Sequence, residues 1–255
     1  MMKPDERREK IAAVVRETSR ASVDELAKML DISRETVRRD LTLLSEQGLL
    51  RKVHGGAVQP QTAREGTLRD REAANRPQKI AIGKRAAQLF DIGDSIFIDA
   101  GTTTTLFAAA LAEMGGFMVM TNSVPVAARL TDSRLSSEVY LLGGRYASEN
   151  QQVLGPVAID QINGFHADHA VLAIGAVDMT GKGMDYNADE AYIAKAMLRR
   201  ARYKTVLADS SKFGRHALFQ VCEARDIDRL ITDAPPPAPL LQALEDAGVE
   251  VIVAD

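Results

Sequence analysis

From residue 78 to the end of the chain, short uninterrupted apolar runs alternate with stretches of helical period. Runs at 95–99, 117–121, 139–142, 170–174, 205–208, 230–232 and 249–253 are too short for helices. They are also too evenly apolar for a sheet with one wet face. Between them, the spacing predicts helices through Ile80, Ile82, Ala86 and Leu89, over 104–114, 124–130 and 188–202, and near 239–247. Each parallel strand pair needs a long crossover, so this alternation implies a mainly parallel sheet with helices on both faces. Such sheets take their ligands in the crevice beyond the carboxyl ends of the strands.

That rule singles out the polar residues at strand ends. Asp99-Ala100-Gly101-Thr102-Thr103-Thr104 closes one strand and opens a helix. Gly101 lets backbone approach a ligand, and the hydroxyls and free N–H groups of a first helical turn suit a phosphate. Asn122 and Ser123 hold the same place after the next strand, Gly143 and Gly144 after the third, Gly175 after the fourth. Asp209 and Lys212 follow the fifth. Lys212 is the candidate countercharge for a phosphate, and Asp99 and Asp209 are candidate partners for sugar hydroxyls. Each piece also has a plainer reading. Gly-Thr-Thr-Thr can be an N-cap and turn, Lys212 a solvated cation, and Asp209 a cap on the following turn. A rival function, proton transfer on a sugar phosphate, would use Asp99, Glu190, Asp209 and Lys212.

Residues 22–58 carry a different signal. Ser22 and Glu25 have capping-box spacing, and Val23, Leu26, Ala27 and Leu30 follow at helical period. Asp31-Ile32 ends that helix. Ser33 is a candidate cap for the next, whose core stripe is Val37, Leu41 and Leu44. Arg34, Thr36, Arg38 and Arg39 lie off that stripe, on the half of a recognition helix that meets base edges, and Ser33 is placed for a phosphate. An earlier helix, roughly residues 5–18, completes a three-helix core through Ile11, Val14 and Val15. Residues 49–58 read as a small wing, with Arg51, Lys52 and His54 directed at backbone phosphates or a minor groove. Without the wing, a capped helix pair with two arginines is equally a solvated helical surface.

Charge and linker composition divide the chain. Overall net charge is −3, yet residues 1–60 hold 12 Lys/Arg against 10 Asp/Glu while the remainder holds 20 against 25. The basic excess therefore sits in the N-terminal piece. Gln59-Pro60-Gln61-Thr62-Ala63 is polar and Pro-containing, and 64–79 is charge-rich. The expected domains are a winged helix-turn-helix over 1–60, a linker over 61–77 with Leu68 and Arg71 able to pack back, and a Rossmann-like α/β domain over 78–255. One cysteine, Cys222, excludes an intrachain disulfide and fits a reducing compartment. Met1–Lys10 is charged with no apolar run behind it, and no stretch is long enough to cross a bilayer. A cytoplasmic protein with no membrane partner is expected. The four histidines have no metal-ligand spacing. Neither a dinucleotide fingerprint nor a Walker A loop occurs in its required context, so neither a metal nor a cofactor is expected.

Ser33-Arg34-Glu35-Thr36-Val37-Arg38-Arg39-Asp40-Leu41, followed by His54-Gly55-Gly56-Ala57, resembles the DeoR family of bacterial transcription regulators. The resemblance continues through Asp99–Thr104, Thr121-Asn122-Ser123, Gly143-Gly144 and Asp209-Ser210-Ser211-Lys212-Phe213-Gly214, and so covers nearly the whole chain. It implies a sugar-phosphate-isomerase-like effector domain and a repressor of a carbohydrate or polyol catabolic operon. A phosphorylated sugar or polyol would relieve repression. Asp185-Tyr186 and 232–237 incline the likeness toward glycerol 3-phosphate as that compound, while the segment 186–190 and Thr104-Thr105 depart from the pattern. Double-stranded operator DNA read by a homodimer or homotetramer is the other implied partner. An activator, or a constitutive DNA-binding protein with an inert second domain, remains open at this point.

Overall fold

Short elements held by their caps build the N-terminal unit. In the computed structural model, which describes residues 4–18, 20–46, 49–58 and 66–254, this unit spans Met1–Ala63 and a larger one spans Arg64–Asp255. Helix α1 is Pro4–Thr18, strand β1 Arg20–Ser22, helix α2 Val23–Leu30 and helix α3 Arg34–Glu46. Strands β2 (Arg51–Val53) and β3 (Gly56–Val58) form the wing. The capping box is present: the Glu25 N–H donates to Ser22 Oγ at 3.1 Å and the Ser22 N–H to Glu25 Oε2 at 2.8 Å. Asp31, in the left-handed region at φ 51°, stops α2. Ile11, Val15, Leu26, Val37, Leu41 and Leu44 close the core where the helical period put them.

Two features were not visible in the sequence. The wing is three-stranded, because β1 pairs antiparallel with β3 on its other edge. Gly56 is required there, since a Cβ would lie 2.3 Å from the Ala21 carbonyl oxygen of β1. Second, Asp40 is 3 % exposed and receives Arg7 Nε at 2.6 Å and Nη2 at 3.2 Å, tying α1 to α3. Arg7→Ala leaves a buried carboxylate without its cation, which typically costs about 3–5 kcal/mol. The expected result is loss of the N-terminal unit's cooperative unfolding transition in a thermal or urea melt of the full chain.

The larger unit begins with helices α4 (Leu68–Ala73) and α5 (Arg76–Ala87), so part of the stretch expected as linker is helical. The chain then runs β4 (Ser95–Ile98), α6 (Thr102–Ala112), β5 (Met118–Thr121), α7 (Val124–Thr131) and β6 (Glu138–Leu141). A hairpin of β7 (Arg145–Ala147) and β8 (Gln152–Leu154) precedes α8 (Pro156–Asn163) and β9 (Ala167–Ala173). After β10 (Ala176–Val177) and β11 (Gly183–Asp185) come α9 (Ala188–Arg199), β12 (Ala201–Leu207) and β13 (Phe219–Cys222). β14 (Arg229–Thr232), α10 (Ala238–Asp246) and β15 (Glu250–Val253) complete it.

Seven strands form one sheet in the order β15-β14-β12-β9-β4-β5-β6, every pair parallel. Apolar side chains fill both faces, with Phe97, Leu172 and Met197 in one layer and Phe107, Ile98 and Val171 in the other. All seven apolar runs are strands of this sheet. The small sheet β10-β11-β13, the β7–β8 hairpin and α8 were not expected. Helix α9 stops at Arg199 because Ala201 already belongs to β12.

The sheet has a switch point. From β4 the chain steps outward through β5 and β6, then returns to lay β9 on the opposite side of β4 and continues through β12, β14 and β15. Crossovers leave the β4–β9 seam in opposite directions, and a crevice opens at its carboxyl end.

Towards the amino end of the same β4–β9 seam, His169 is buried against Phe90 and Tyr203, with Nε2 3.3 Å from Asp94. Burial holds its pKa below the ordinary 6.5, despite the opposing charges of Asp94 and Asp168. Below pH 6.5 the unfolded ring takes a proton that the folded ring resists, so the unfolded state binds more protons and stability falls. Urea midpoints of the larger unit should therefore decline from pH 7 towards pH 5, and His169→Phe should flatten that decline.

Candidate functional site

The crevice at the β4–β9 seam is lined on one side by Gly101, Thr102 and Thr103, at the start of α6, and on the other by Ala173 and Gly175, at the end of β9. Gly101 permits the closeness of the two walls, because a Cβ there would stand 2.5 Å from the Ala173 Cβ. The first N–H groups of α6 have no helical partner, and they open onto this space.

Three cations line the same crevice: Arg71 from α4, Lys79 from α5 and Lys212 from a 3-10 turn, Ser210–Lys212. Lys79 is 4 % exposed, and its Nζ donates to the Arg71 carbonyl at 2.6 Å. Carboxylates share the lining. Asp185, at the end of β11, and Glu190, on α9, complete the lining. Behind them Asp99 is buried and accepts the Ala100 N–H at 2.7 Å. Burial pushes its carboxyl well above the usual carboxylate range, and the negative charges of Asp185 and Glu190 add to that push.

An adjoining lobe shares Arg71, Gly101 and Glu190 and adds Thr105, Ser123, Asn150 and Gln152. A continuous polar network runs across it. Arg71 Nη2 donates to Asn150 Oδ1 at 2.7 Å, Asn150 Nδ2 to Glu190 Oε1 at 2.9 Å, and Gln152 Nε2 to the same carboxylate oxygen at 2.5 Å. Cations beside carboxylates and carboxamides are the combination that holds an anion at one end of a molecule and hydroxyls at the other.

Of the residues proposed from sequence, Gly101, Thr102, Thr103, Gly175 and Lys212 come together here, and Ser123 lines the adjoining lobe. Asn122 lies fully buried beneath that lobe. Its amide nitrogen is 3.3 Å from the Val153 carbonyl, while its Oδ1 has no hydrogen-bond partner among the described residues. Four others are engaged elsewhere. Thr104 is fully buried and gives its hydroxyl to the Asp99 and Gly101 carbonyls. Asp209 caps the turn carrying Lys212 and accepts Asn75 Nδ2 at 2.8 Å. The Gly143 N–H donates to Gln161, and Gly144 lets the chain pass close to the Leu154 carbonyl. None of these four, nor Asp99, lines either lobe.

Arg71, Lys79, Asp185, Asn150 and Gln152 were missed as site residues. One signal was available. Lys79, Ile82 and Ala86 fall on one face of α5, so a lysine sits in line with a buried stripe.

The candidate nucleic-acid surface lies on the N-terminal unit. Ser33 caps α3, its Oγ accepting the Thr36 N–H at 3.1 Å and lying 2.9 Å from Thr36 Oγ1. Thr36 is half-buried. Arg38 and Arg39 have 58 % and 80 % of their side chains exposed, each 3.8 Å from Glu35. Arg34 pairs with Asp24 at 2.7 Å, also in solvent. Exposed pairs of this kind contribute little, so these guanidiniums can exchange a carboxylate for a phosphate at small cost. Arg51, Lys52 and His54 are exposed on the wing, and Lys52 Nζ reaches Thr42 Oγ1 of α3 at 2.9 Å. Wing and recognition helix thus present one contiguous polar edge.

Comparison with known proteins covers both units. Residues 7–63 match the DeoR-like helix-turn-helix domain, and residues 74–234 match the DeoR C terminal sensor domain. The chain is 34 % identical over 247 residues to the HTH-type transcriptional repressor CsqR of Escherichia coli K12, covering 97 % of this chain and 94 % of that protein. It is 31 % identical over 250 residues to the glycerol-3-phosphate regulon repressor of the same organism, covering 98 % and 99 %. A solved ribose 5-phosphate isomerase A from Methanocaldococcus jannaschii overlaps 55 % of each chain at 18 % identity, with a TM-score of 0.41. A parallel sheet wrapped by helices is a common scaffold, and that partial overlap assigns no chemistry. With both domain types matched in order and relatives aligned end to end, the chain belongs to the DeoR family of transcription regulators.

Proposed function

We propose that this protein is a DNA-binding transcription regulator that represses a carbohydrate or polyol catabolic operon and is relieved by a phosphorylated sugar or polyol. The observation that carries the reading is the switch-point crevice, whose lining brings together Lys79, Lys212, the first turn of α6, Asp185 and Glu190. The phosphate binds at Gly101, Thr102 and Thr103 with the two lysines, and the hydroxyls bind the carboxylates. Ser123 and the carboxamides of Asn150 and Gln152 extend the hydroxyl-binding wall. Glycerol 3-phosphate is one compound of the right chemistry.

On the other unit, Arg34, Thr36, Arg38 and Arg39 read operator bases and phosphates, while Ser33, Arg51, Lys52 and His54 contact the backbone. A homodimer or homotetramer presents these surfaces in pairs to repeated half-sites. The effector works by binding the DNA-free form more tightly, and operator DNA must weaken effector binding by the same factor. The chain acts as a sensor and performs no turnover.

The test is direct. Full-length protein is used to select DNA from a random pool, and the enriched fragment is titrated with and without phosphorylated compounds. A compound that raises the melting temperature by mass action should also lower operator affinity. Stabilisation with no change in operator affinity would reject the regulatory reading, and turnover of the compound would replace it with an enzymatic one.

A further inference from the structure

Two helices start at the walls of the crevice, and only one of them keeps its first N–H groups for a ligand. At the start of α6, Gly101 supplies no side-chain cap, and the Thr102 and Thr103 N–H groups have no partner among the described residues. Helix α7 starts at the adjoining lobe, which Ser123 and Pro125 line. There the Val124 N–H donates to the Gln151 carbonyl at 3.0 Å, Pro125 has none to give, and the Val126 N–H donates to Ser123 Oγ at 3.3 Å. Charged side chains divide the same way. The first lobe holds Arg71, Lys79 and Lys212 against Asp185 and Glu190, whereas the second holds Arg71 against Glu72 and Glu190. One end of the crevice is therefore built for an anion and the other against one.

We propose that the crevice selects metabolites with a single anionic end and an uncharged polyol end, and that Glu72 turns away those carrying a second phosphate or a carboxylate. The proposal rests on the crevice being a phosphorylated-metabolite site. With the phosphate on α6, Lys79 and Lys212, the far end of the molecule extends past Gly101 and Arg71, which both lobes share, into the second lobe. Ser123, Asn150 and Gln152 meet it there with neutral donors and acceptors, the two carboxamides oriented by Glu190 at 2.9 and 2.5 Å. Hydroxyls exchange water for such groups at little cost. A second phosphate would instead stand beside the Glu72 and Glu190 carboxylates, lose part of its hydration and find no helix N–H to replace it. Glu72 is exposed on α4, so replacing it disturbs no core packing.

Calorimetric titration of the full-length chain with matched pairs of compounds tests this. The pairs are glycerol 3-phosphate with 3-phosphoglycerate, fructose 6-phosphate with fructose 1,6-bisphosphate, and glucose 6-phosphate with 6-phosphogluconate. In every pair that binds, the member with the uncharged end should bind about tenfold tighter or more, the effect of setting like charges side by side. Glu72→Gln should narrow that gap, and Glu72→Lys should narrow it further. Because the ratio within a pair is read, a general loss of affinity in a variant leaves the comparison intact. A doubly anionic member that binds as tightly as its partner would overturn the selection and leave the regulator reading standing. A gap that neither Glu72 variant narrows would overturn the role given to Glu72. Were no member of any pair to bind, the phosphorylated-metabolite reading would fall and the selection with it.

Discussion

Arg38→Ala should lower operator affinity by about ten- to a hundredfold, the loss of about 1–3 kcal/mol that attends one guanidinium at a base edge. Arg38 leaves the exposed side of α3, and its nearest ion pair is a loose one with Glu35 at 3.8 Å. Removing it strips no buried partner, so the fold should melt as before. The effector should still bind the variant with wild-type affinity, because the crevice is built wholly from the other unit. Electrophoretic or fluorescence titration at several salt concentrations separates two roles for this side chain. A base contact relaxes sequence preference at one position, whereas a phosphate contact weakens all sequences alike and lowers the salt slope by about one. Wild-type affinity in Arg38→Ala would remove α3 from the DNA surface.

Lys212→Ala should uncouple the two units in the opposite sense. Hydrogen bonds to charged groups contribute about 1.5–3 kcal/mol, so effector affinity should fall by about ten- to a hundredfold. Operator binding should survive, leaving a repressor that the metabolite no longer displaces. The side chain is placed by a turn that Asp209 caps, and that cap is undisturbed by truncating Lys212. Calorimetric titration with glycerol 3-phosphate and with hexose 6-phosphates, alongside operator titration, reads both effects. Normal induction in the variant would reject Lys212 as a phosphate ligand and leave Lys79 as the principal cation.

The DNA-reading unit was legible because its signals are local. A capping box, a two-turn stripe and a Gly-Gly turn each fit inside a few residues. Strand β1 was not legible, since three residues become a strand only through pairing with β3, some thirty-five positions on. In the larger unit the parallel sheet could be read from seven apolar runs, and the switch-point rule located the crevice. Which side chains reach that crevice was harder to read. A strand-end polar residue can face the ligand or stitch the backbone, and sequence does not distinguish Thr103, which lines the crevice, from Thr104, which bonds carbonyls behind it. Asp209 fell on the wrong side of the same ambiguity. Arg71 and Lys79 come from segments outside the strand-end pattern altogether. The path from α4 and α5 to the β4–β9 seam is a tertiary fact.

The pairing of β4 with β9 has a consequence for the order in which the molecule is made. Its central strands are separated by two helical crossovers, a hairpin and helix α8, so the sheet cannot close until residues near 171 have left the ribosome. The winged unit, whose core and wing are completed within its own span, needs only the first 58 or so residues. Each nascent chain should therefore expose a finished DNA-reading surface while its metabolite crevice is still only half synthesised. For that interval the winged unit can meet DNA with no metabolite control over it.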